Sequence, residues 1–260
     1  MSLSRPLSEI TSYLDGYLRI REVPDDPNAL NGLQVENRSG TVSRIVAAVD
    51  ASQATIDGVA KGAASGSALL LVHHGLFWDG PIPLTGRRYR RVRALFDADT
   101  ALYSAHIPLD LHAEVGNNYV LARQLGLDGV EPFDLYRGVP IGAQGTLSPA
   151  EPREVFASRI GKLLGSLPKL IPGGPAECRR VGIITGGAGG RIGAAQEAGL
   201  DTYLTGEGMH HTFFDAMEFG VNVIYAGHYA TETVGVKALA EHLSGTFGLP
   251  WEFHDHPTGL

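Results

Sequence analysis

The feature of this 260-residue chain that most constrains its fold is a regular alternation of strand-like and helix-like segments. Apolar runs such as RIVAAVD (44–50) and ALLLVHH (68–74) are each followed by a stretch with helical spacing, over 52–61 and 87–98. The second run is apolar without a break up to its final histidines, which is typical of a strand buried on both faces. This βαβα order predicts an α/β fold with a parallel or mixed sheet covered by helices.

A second series of alternating elements begins near residue 127. We predict strands over 137–147, 179–185, 201–207 and 221–228, and helices over 149–164, 190–199, 209–219 and 231–248. The turn-rich segment between residues 165 and 177 is expected to be a surface connection. The chain is therefore predicted to form two α/β units with mixed, largely parallel sheets covered by helices. The first unit comprises residues 1–126 and 231–260, and the second comprises residues 127–230.

Composition excludes several classes of function. The hydrophobic content of 43% is enough for a full core, and the formal charge of -7 argues against a protein that binds nucleic acid. A single cysteine, Cys178, allows no internal disulfide and favours a reducing compartment. The N-terminus lacks the apolar region of a signal peptide, and no apolar stretch reaches the ~18 residues that span a membrane. We expect a soluble, cytoplasmic protein.

Five side chains that commonly bind metals follow predicted strands. His73 and His74 end ALLLVHH, Asp110 ends YSAHIPLD, and His228 and Glu232 lie in AGHYATE. Parallel sheets gather functional groups at the carboxyl ends of their strands, and the spacing of the last pair places both on one face of a helical turn. Imidazole and carboxylate suit zinc, iron and manganese. The pattern predicts a two-metal, hydrolase-like centre.

The order of the ligands suggests how two ions would be held. Adjacent residues of an extended strand point to opposite sides, so His73 and His74 share one ion only if the chain departs from strand geometry at Gly75. The simpler arrangement gives each histidine a different ion. Glu232 is then the preferred bridge between ions ~3.5–4 Å apart, with Asp110 on one ion and His228 on the other. Taken singly, each residue could instead be a structural histidine or a helix cap.

Further polar residues could act beside the metals. His106 precedes Asp110 by four residues and could orient a ligand or transfer a proton, and Glu207 ends another predicted strand. These two are the candidate catalytic residues. His112, His210 and His211 are weaker candidates, since the last two begin a helix and at least one is expected to be exposed.

Four other signals have ordinary structural explanations. TGGAGG (185–190) lacks the Lys-Ser/Thr of a phosphate-binding loop and fits a tight turn, and no G-x-S-x-G elbow surrounds Ser104. His254 and His256 could bind adventitious metal at the chain end. The basic run from Arg87 to Arg93 is expected to be a solvated helix face, with a grip for a phosphorylated substrate as the alternative.

Several sequence blocks resemble those of a known family. They are NGLQVE (31–36), HHGLFW (73–78), SAHIPLDLHAEVGNN (104–118), TGE (205–207) and AGHYATE (226–232). In order and spacing they resemble the signature blocks of the GTP cyclohydrolase 1 type 2 homologue family, the NGG-interacting-factor-three-like group, from residue 5 to 254. HHG stands where HHP is commoner, and the insertion that some members carry between their halves is missing.

The resemblance implies a fold of two interlinked α/β units, a toroidal homohexamer and a dinuclear metal centre. The family's ligand pattern falls on His73, His74, Asp110, His228 and Glu232, and no other cofactor is implied. The metals could be zinc, iron, manganese or nickel.

We expect a metal-dependent hydrolase that acts on a nucleotide-like or phosphorylated small molecule through a metal-activated water. The alternative is a non-catalytic protein: a metal-binding or metal-delivering assembly, or an interaction scaffold.

Overall fold

A computed structural model describes residues 3–260 of the chain. The strands are β1 (Arg5–Pro6), β2 (Gly32–Val35), β3 (Thr41–Val42), β4 (Arg44–Asp50), β5 (Ala68–His74), β6 (Thr100–Ser104), β7 (Asp128–Tyr136), β8 (Val139–Pro152), β9 (Lys169–Pro172), β10 (Glu177–Ile183), β11 (Thr202–Thr205), β12 (Asn222–Tyr225) and β13 (Trp251–Phe253). The α-helices are α1 (Leu7–Tyr17), α2 (Gln53–Lys61), α3 (Gly86–Asp97), α4 (Ile107–Asp110), α5 (Asn117–Gln124), α6 (Arg153–Leu164), α7 (Ile192–Glu197), α8 (Thr212–Phe219) and α9 (His228–Phe247). Over residues 3–260, none of these helices has the length and apolar character needed to cross a membrane.

The chain divides into two compact units. Unit 1 contains the residues up to Leu109 together with Val236–His256, and unit 2 contains Asp110–Gly235 and Pro257–Leu260. The helix α9 therefore begins in unit 2 and ends in unit 1.

Unit 1 is built on a five-stranded sheet in the order β13-β4-β5-β6-β2. All neighbouring strands are parallel except β2, which runs antiparallel to β6. Apolar side chains such as Val46, Leu70 and Leu102 are buried on this sheet, because strands covered on both faces have no solvated side. The register pairs Asp50 with His74, so two polar residues end neighbouring strands at one edge.

Unit 2 is built on a six-stranded sheet in the order β7-β8-β10-β11-β12-β9. Its centre is parallel, from β10 through β11 to β12, while β7, β8 and β9 pair antiparallel to their neighbours. A core that includes Tyr203 and Val223 lies against it. The three parallel strands end at Ile183, Thr205 and Tyr225, so the loops that follow them start from the same edge.

The structure corrects three local predictions. The helix expected from residue 149 begins at Arg153, because residues 149–152 belong to β8, where Glu151 pairs with Cys178. Pro149 falls within the register shift between β8 and β10, which is a place where a strand tolerates proline. The expected surface connection at 165–177 contains β9, an edge strand paired with β12. Asp110 ends the short helix α4 and not a strand, since β6 stops at Ser104.

Candidate metal centre

Unit 1 brings three histidines together. His73 and His74 are the last two residues of β5, and His106 follows β6 by two residues. One ring nitrogen of each histidine lies within 4.8 Å of one ring nitrogen of the other two. His73 is fully buried, and the other two are half-buried. We call these three residues the histidine cluster; their nitrogens are close enough together to bind metal.

The orientation of the first two rings is fixed through Nδ1. The Nδ1–H of His73 donates to the carbonyl of Ala105 at 2.9 Å, because a carbonyl can only accept. Nδ1 of His74 lies 2.9 Å from Oδ1 of Asp50, the residue paired with it in the sheet. A neutral imidazole that donates through Nδ1 carries its lone pair on Nε2, which is the arrangement found in metal-binding histidines.

His106 is held in the same way by a buried carboxylate. Its Nδ1 lies 2.9 Å from Oδ1 of Asp25. The other oxygen of this carboxylate, Oδ2, accepts from Asn31 Nδ2 at 2.8 Å and from the Ile107 N–H at 3.0 Å. Burial alone would raise the pKa of Asp25, but the hydrogen bond and charge of His106, together with the Asn31 hydrogen bond, lower it below its usual value. Asp25 is therefore an ionised acceptor that orients the His106 ring.

Unit 2 places an imidazole between two carboxylates. His228 and Glu232 lie on the first turn of α9, and His228 Nε2 is 3.2 Å from Oε1 of the buried Glu232. His228 Nδ1 is 2.7 Å from Oε1 of Glu207, which follows β11. Burial opposes a charge on His228, but Glu232 and then Glu207 outweigh it and raise the pKa of His228 to about 9. A protonated His228 ring therefore donates through both nitrogens, to Glu207 from Nδ1 and to Glu232 from Nε2.

The loop after β10 explains how Glu232 is enclosed. Gly186 has a left-handed backbone with φ of 71°, and a Cβ at this position would overlap the Glu232 carboxylate. Its N–H donates to Thr231 Oγ1 at 3.1 Å, and its carbonyl accepts from the Glu207 N–H at 3.1 Å. The TGGAGG segment is thus a tight turn whose glycine also lets the backbone approach a candidate metal ligand.

Asp110 is oriented within unit 2 by a buried polar network. Its Oδ1 accepts from Asn117 Nδ2 at 2.8 Å and from Thr185 Oγ1 at 3.4 Å. Asn117 is fully buried, and its Oδ1 accepts from the Gly235 N–H on α9 at 2.7 Å. This network fixes the direction of the carboxylate, as the partners of metal-binding carboxylates do.

The weaker candidates take structural or exposed positions. His112 Nδ1 accepts the N–H groups of Glu114 and Val115, at 3.3 Å each, and so closes a turn. His210 and His211 are exposed ahead of α8. Ser104 is buried, and its hydroxyl donates to the carbonyl of His73 at 3.2 Å.

The sequence patterns missed the residues that orient the histidines. Asp25 lies in the segment Pro-Asp-Asp-Pro, which resembles a turn and gives no sign of a partner 81 positions away. Asp50 could have been found, because it ends a buried strand just as His74 ends the next one.

The donor types fit divalent metals of borderline character. Imidazole predominates in unit 1, and unit 2 places the imidazole of His228 beside the carboxylate of Glu232. Among the described residues, Asp110 is in neither close group of possible metal ligands. A thiolate contribution is excluded for Cys178, which is buried in the sheet of unit 2 and whose pKa is raised to about 11 by burial. Zinc, iron, manganese and nickel all accept such ligands.

These features define a class of mixed α/β proteins with a possible histidine and carboxylate metal site. The profile of the Duf34/NIF3 (NGG1p interacting factor 3) family matches residues 6–258, and the chain belongs to this family. A protein of Deinococcus radiodurans named GTP cyclohydrolase 1 type 2 homolog is 48% identical over 256 residues, covering 97% of this chain and 94% of its own. A protein of the same name from Pyrococcus abyssi is 42% identical over 253 residues, which cover 97% of this chain and 98% of the Pyrococcus protein.

Solved structures agree with this assignment. The crystal structure of TTHA1606 from Thermus thermophilus matches with a TM-score of 0.88 at 46% identity and covers 98% of this chain and 100% of that one. The structure described as reduced HcgD from Methanocaldococcus jannaschii matches with a TM-score of 0.81 at 26% identity over 98% of this chain and 100% of that one. The predicted family and mixed α/β fold are confirmed.

The close approach of Gly186 to Glu232 can be tested by adding one methyl group. We expect Gly186→Ala to lower the free energy of unfolding by about 1–3 kcal/mol, because the left-handed backbone disfavours a side chain, and to lower the metal content by displacing Glu232. Gly190→Ala, in the same segment, meets nothing within 4 Å and serves as the control. Urea unfolding and elemental analysis of both variants provide the measurement. Equal effects in the two variants would contradict this interpretation of the loop.

The environment of His228 predicts a pH dependence of stability in the metal-free protein. Its pKa is about 9 when folded and 6.5 in its ordinary state, so the stabilisation is fully present below pH 6.5 and is lost as pH rises through 9. We expect urea unfolding of metal-free protein to show this loss between pH 6.5 and 9. The loss should be smaller in Glu207→Gln, which removes one of the two carboxylates. An identical pH profile in both proteins would show that Glu207 does not act on His228.

Proposed function

We propose that this chain binds two divalent metal ions and acts as a metal-dependent hydrolase on a nucleotide-like or phosphorylated small molecule. The observation that carries the proposal is shared by the four histidines His73, His74, His106 and His228. Each has its Nδ1 beside an oxygen acceptor, at 2.7–2.9 Å. This repeated arrangement supports a role for Nε2 of each ring, as a metal ligand in His73, His74 and His228 and as the proton-carrying atom in His106, because structural histidines have no need for a common orientation.

For the proposed dinuclear centre we take the ligands of the family pattern, and all of them except Asp110 lie in close groups of possible metal ligands among residues 3–260. His73 and His74 would each supply an imidazole, and Asp110 and His228 would complete the two coordination spheres. Glu232 would be the bridging carboxylate, which its burial and its position one helical turn from His228 support. The candidate metals are zinc, iron, manganese and nickel.

The residues around the ligands support hydrolysis. Divalent ions, when bound, polarise a substrate oxygen and make water a nucleophile at neutral pH. His106 is the group that we propose to move the proton, since Asp25 can stabilise the positive charge that the ring then acquires. Glu207 is proposed as a second proton carrier. Its carboxylate is hydrogen-bonded to His228 Nδ1, and this contact favours a role in orienting the His228 ring.

We further propose that the protein is cytoplasmic and assembles as a homohexamer. An exposed apolar surface on α8 supports self-association; its members, Phe213, Phe214, Met217 and Phe219, are each 45–51% exposed. Light scattering should give a mass of about six chains of 27.6 kDa. A monomeric mass at micromolar protein concentration would contradict the proposed hexamer but would not bear on the proposed metal site.

The catalytic proposal is tested through Glu232. We expect Glu232→Gln to reduce bound metal from about two ions per chain to one or none, and to lower any hydrolytic activity by at least about 100-fold, because the amide is a much weaker ligand. Glu241→Gln changes an exposed residue of the same helix and should leave both quantities unchanged. Elemental analysis of protein purified without chelators gives the metal content.

Activity is found by screening the metal-loaded protein against phosphoesters, nucleotides and cyclic amides. Hydrolysis that persists in metal-free Glu232→Gln would contradict the mechanism. Uniform inactivity of fully loaded wild-type protein would instead favour a non-catalytic metal-binding or metal-delivering role.

A further inference from the structure

Gln34 lies on β2, an edge strand of the sheet in unit 1, close to the histidine cluster. β2 pairs antiparallel with β6, so the residues just before β2 lie beside the residues just after β6. The ladder between β5 and β6 ends at the pair Val72 and Ser104. His74 and His106 therefore lie beyond this ladder, where the pairing of the two strands no longer fixes their separation.

The His106 half of the cluster is held by Asn31. The Oδ1 of Asn31 accepts from the His106 N–H at 2.7 Å, and its Nδ2 donates at 2.8 Å to Asp25, the carboxylate that orients the His106 ring. These partners fix which end of the amide points where, because an N–H only donates and an ionised carboxylate only accepts. The turn formed by residues 25–31 thus determines both the backbone and the ring of His106.

The Gln34 side chain joins this turn to the end of β5. Its Oε1 accepts from the N–H of Leu76, two residues after His74, at 2.8 Å. Its Nε2 donates to the carbonyls of Ala29 and Leu30, at 3.0 Å each, and both residues belong to the turn. One amide therefore bonds to the chain that leaves the histidine pair and also to the turn that holds the third histidine.

Gly75 provides the space for this amide. A Cβ at position 75 would overlap the nitrogen, oxygen and carbon of the Gln34 amide. The backbone of Gly75 is outside the left-handed region, so a side chain at this position would meet a steric conflict and not a conformational one. The residue that follows the histidine pair is thus one that lets Gln34 reach the Leu76 N–H.

We propose that Gln34 is a positioning residue that sets the separation between the two halves of the histidine cluster, and that Gly75 is a glycine in order to admit it. The inference rests on the proposed function, which it deepens by naming a residue that holds the candidate ligands His73 and His74 at a fixed distance from His106. Gln34 acts through main-chain groups and not as a ligand. Its loss would release the chain after β5 and the turn at once.

The test titrates metal-free protein with cobalt(II), whose visible absorption depends on the number and geometry of its ligands. We expect Gln34→Ala to weaken cobalt binding by about 10-fold and to change the spectrum of the loaded protein, because residues that position metal ligands have effects of this size. Gln34→Glu keeps the side-chain size and the acceptor for Leu76, but turns a carboxylate oxygen toward two carbonyls. It should weaken cobalt binding at least as much, and it serves as the test if Gln34→Ala does not fold.

The role of Gly75 is tested by a double-mutant cycle. In the parent protein, Gly75→Ala should weaken cobalt binding by about 10-fold, since the added methyl group displaces the Gln34 amide. In the Gln34→Ala background, the same substitution should change the affinity by less than about 2-fold, because the amide that it would displace is gone. Effects of the two substitutions that simply multiply would overturn the proposed link between Gly75 and Gln34.

Gln53→Ala is the matched control, because the Gln53 amide lies in the same unit and donates at 2.8 Å to the exposed Asp57 on α2. This variant should keep the cobalt affinity and spectrum of the parent protein. The free energy of unfolding is measured in urea for every variant. A Gln34 variant that is less stable but binds cobalt with the parent affinity and spectrum would show a structural role alone and would overturn the proposal.

The outcomes separate this inference from the function on which it rests. Parent protein that binds no cobalt would contradict the proposed metal centre and the inference together. Parent protein that binds cobalt but hydrolyses no substrate would contradict only the hydrolase, since the positioning of the ligands is measured without a substrate. Cobalt binding that does not respond to Gln34 substitution would overturn the inference alone.

Discussion

The candidate site depends on one repeated interaction, the hydrogen bond from an imidazole Nδ1 to an oxygen acceptor. The acceptors differ in kind and in origin: a backbone carbonyl at Ala105, and carboxylates at Asp25, Asp50 and Glu207. Each bond determines which nitrogen carries the lone pair and in which direction it points. Without these partners the rings would be free to rotate or to change tautomer, and the entropy of ordering them would count against metal binding.

The pairing of parallel strands places several of these acceptors beside the histidines. In unit 1, parallel pairing places the ends of β4 and β5 side by side, so Asp50 meets His74 without any special loop. In unit 2, the ends of β11 and β12 bring Glu207 near the start of α9. Both units use the same property of parallel strands, which gather polar residues at one edge while the apolar remainder forms the core. The glycine loop after β10 then closes over Glu232, which only a residue without a side chain allows.

The sequence predicted what depends on local pattern. The buried strand over 68–74 was predicted with the bounds that the structure has, because its apolar run ends abruptly at polar histidines. The i,i+4 pair of His228 and Glu232 lies on one helical turn as its spacing indicated. The features that the sequence did not predict depend on contacts between segments that are distant along the chain. Pro149 looked like the start of a helix, and only the register shift opposite β10 explains its place in β8. Asp25 has a role in the site only because it contacts His106, which lies 81 positions along the chain.

The three histidines of unit 1 are not equivalent donors. His73 donates to a main-chain carbonyl, whereas His74 and His106 each face the carboxylate of a side chain. A main-chain carbonyl is present whatever residue stands at position 105, so no substitution there removes the acceptor of His73. A single substitution of Asp50 or Asp25, in contrast, removes the acceptor of His74 or of His106. The cluster therefore combines one ring whose partner is independent of side-chain identity with two rings whose orientation a point mutation can release.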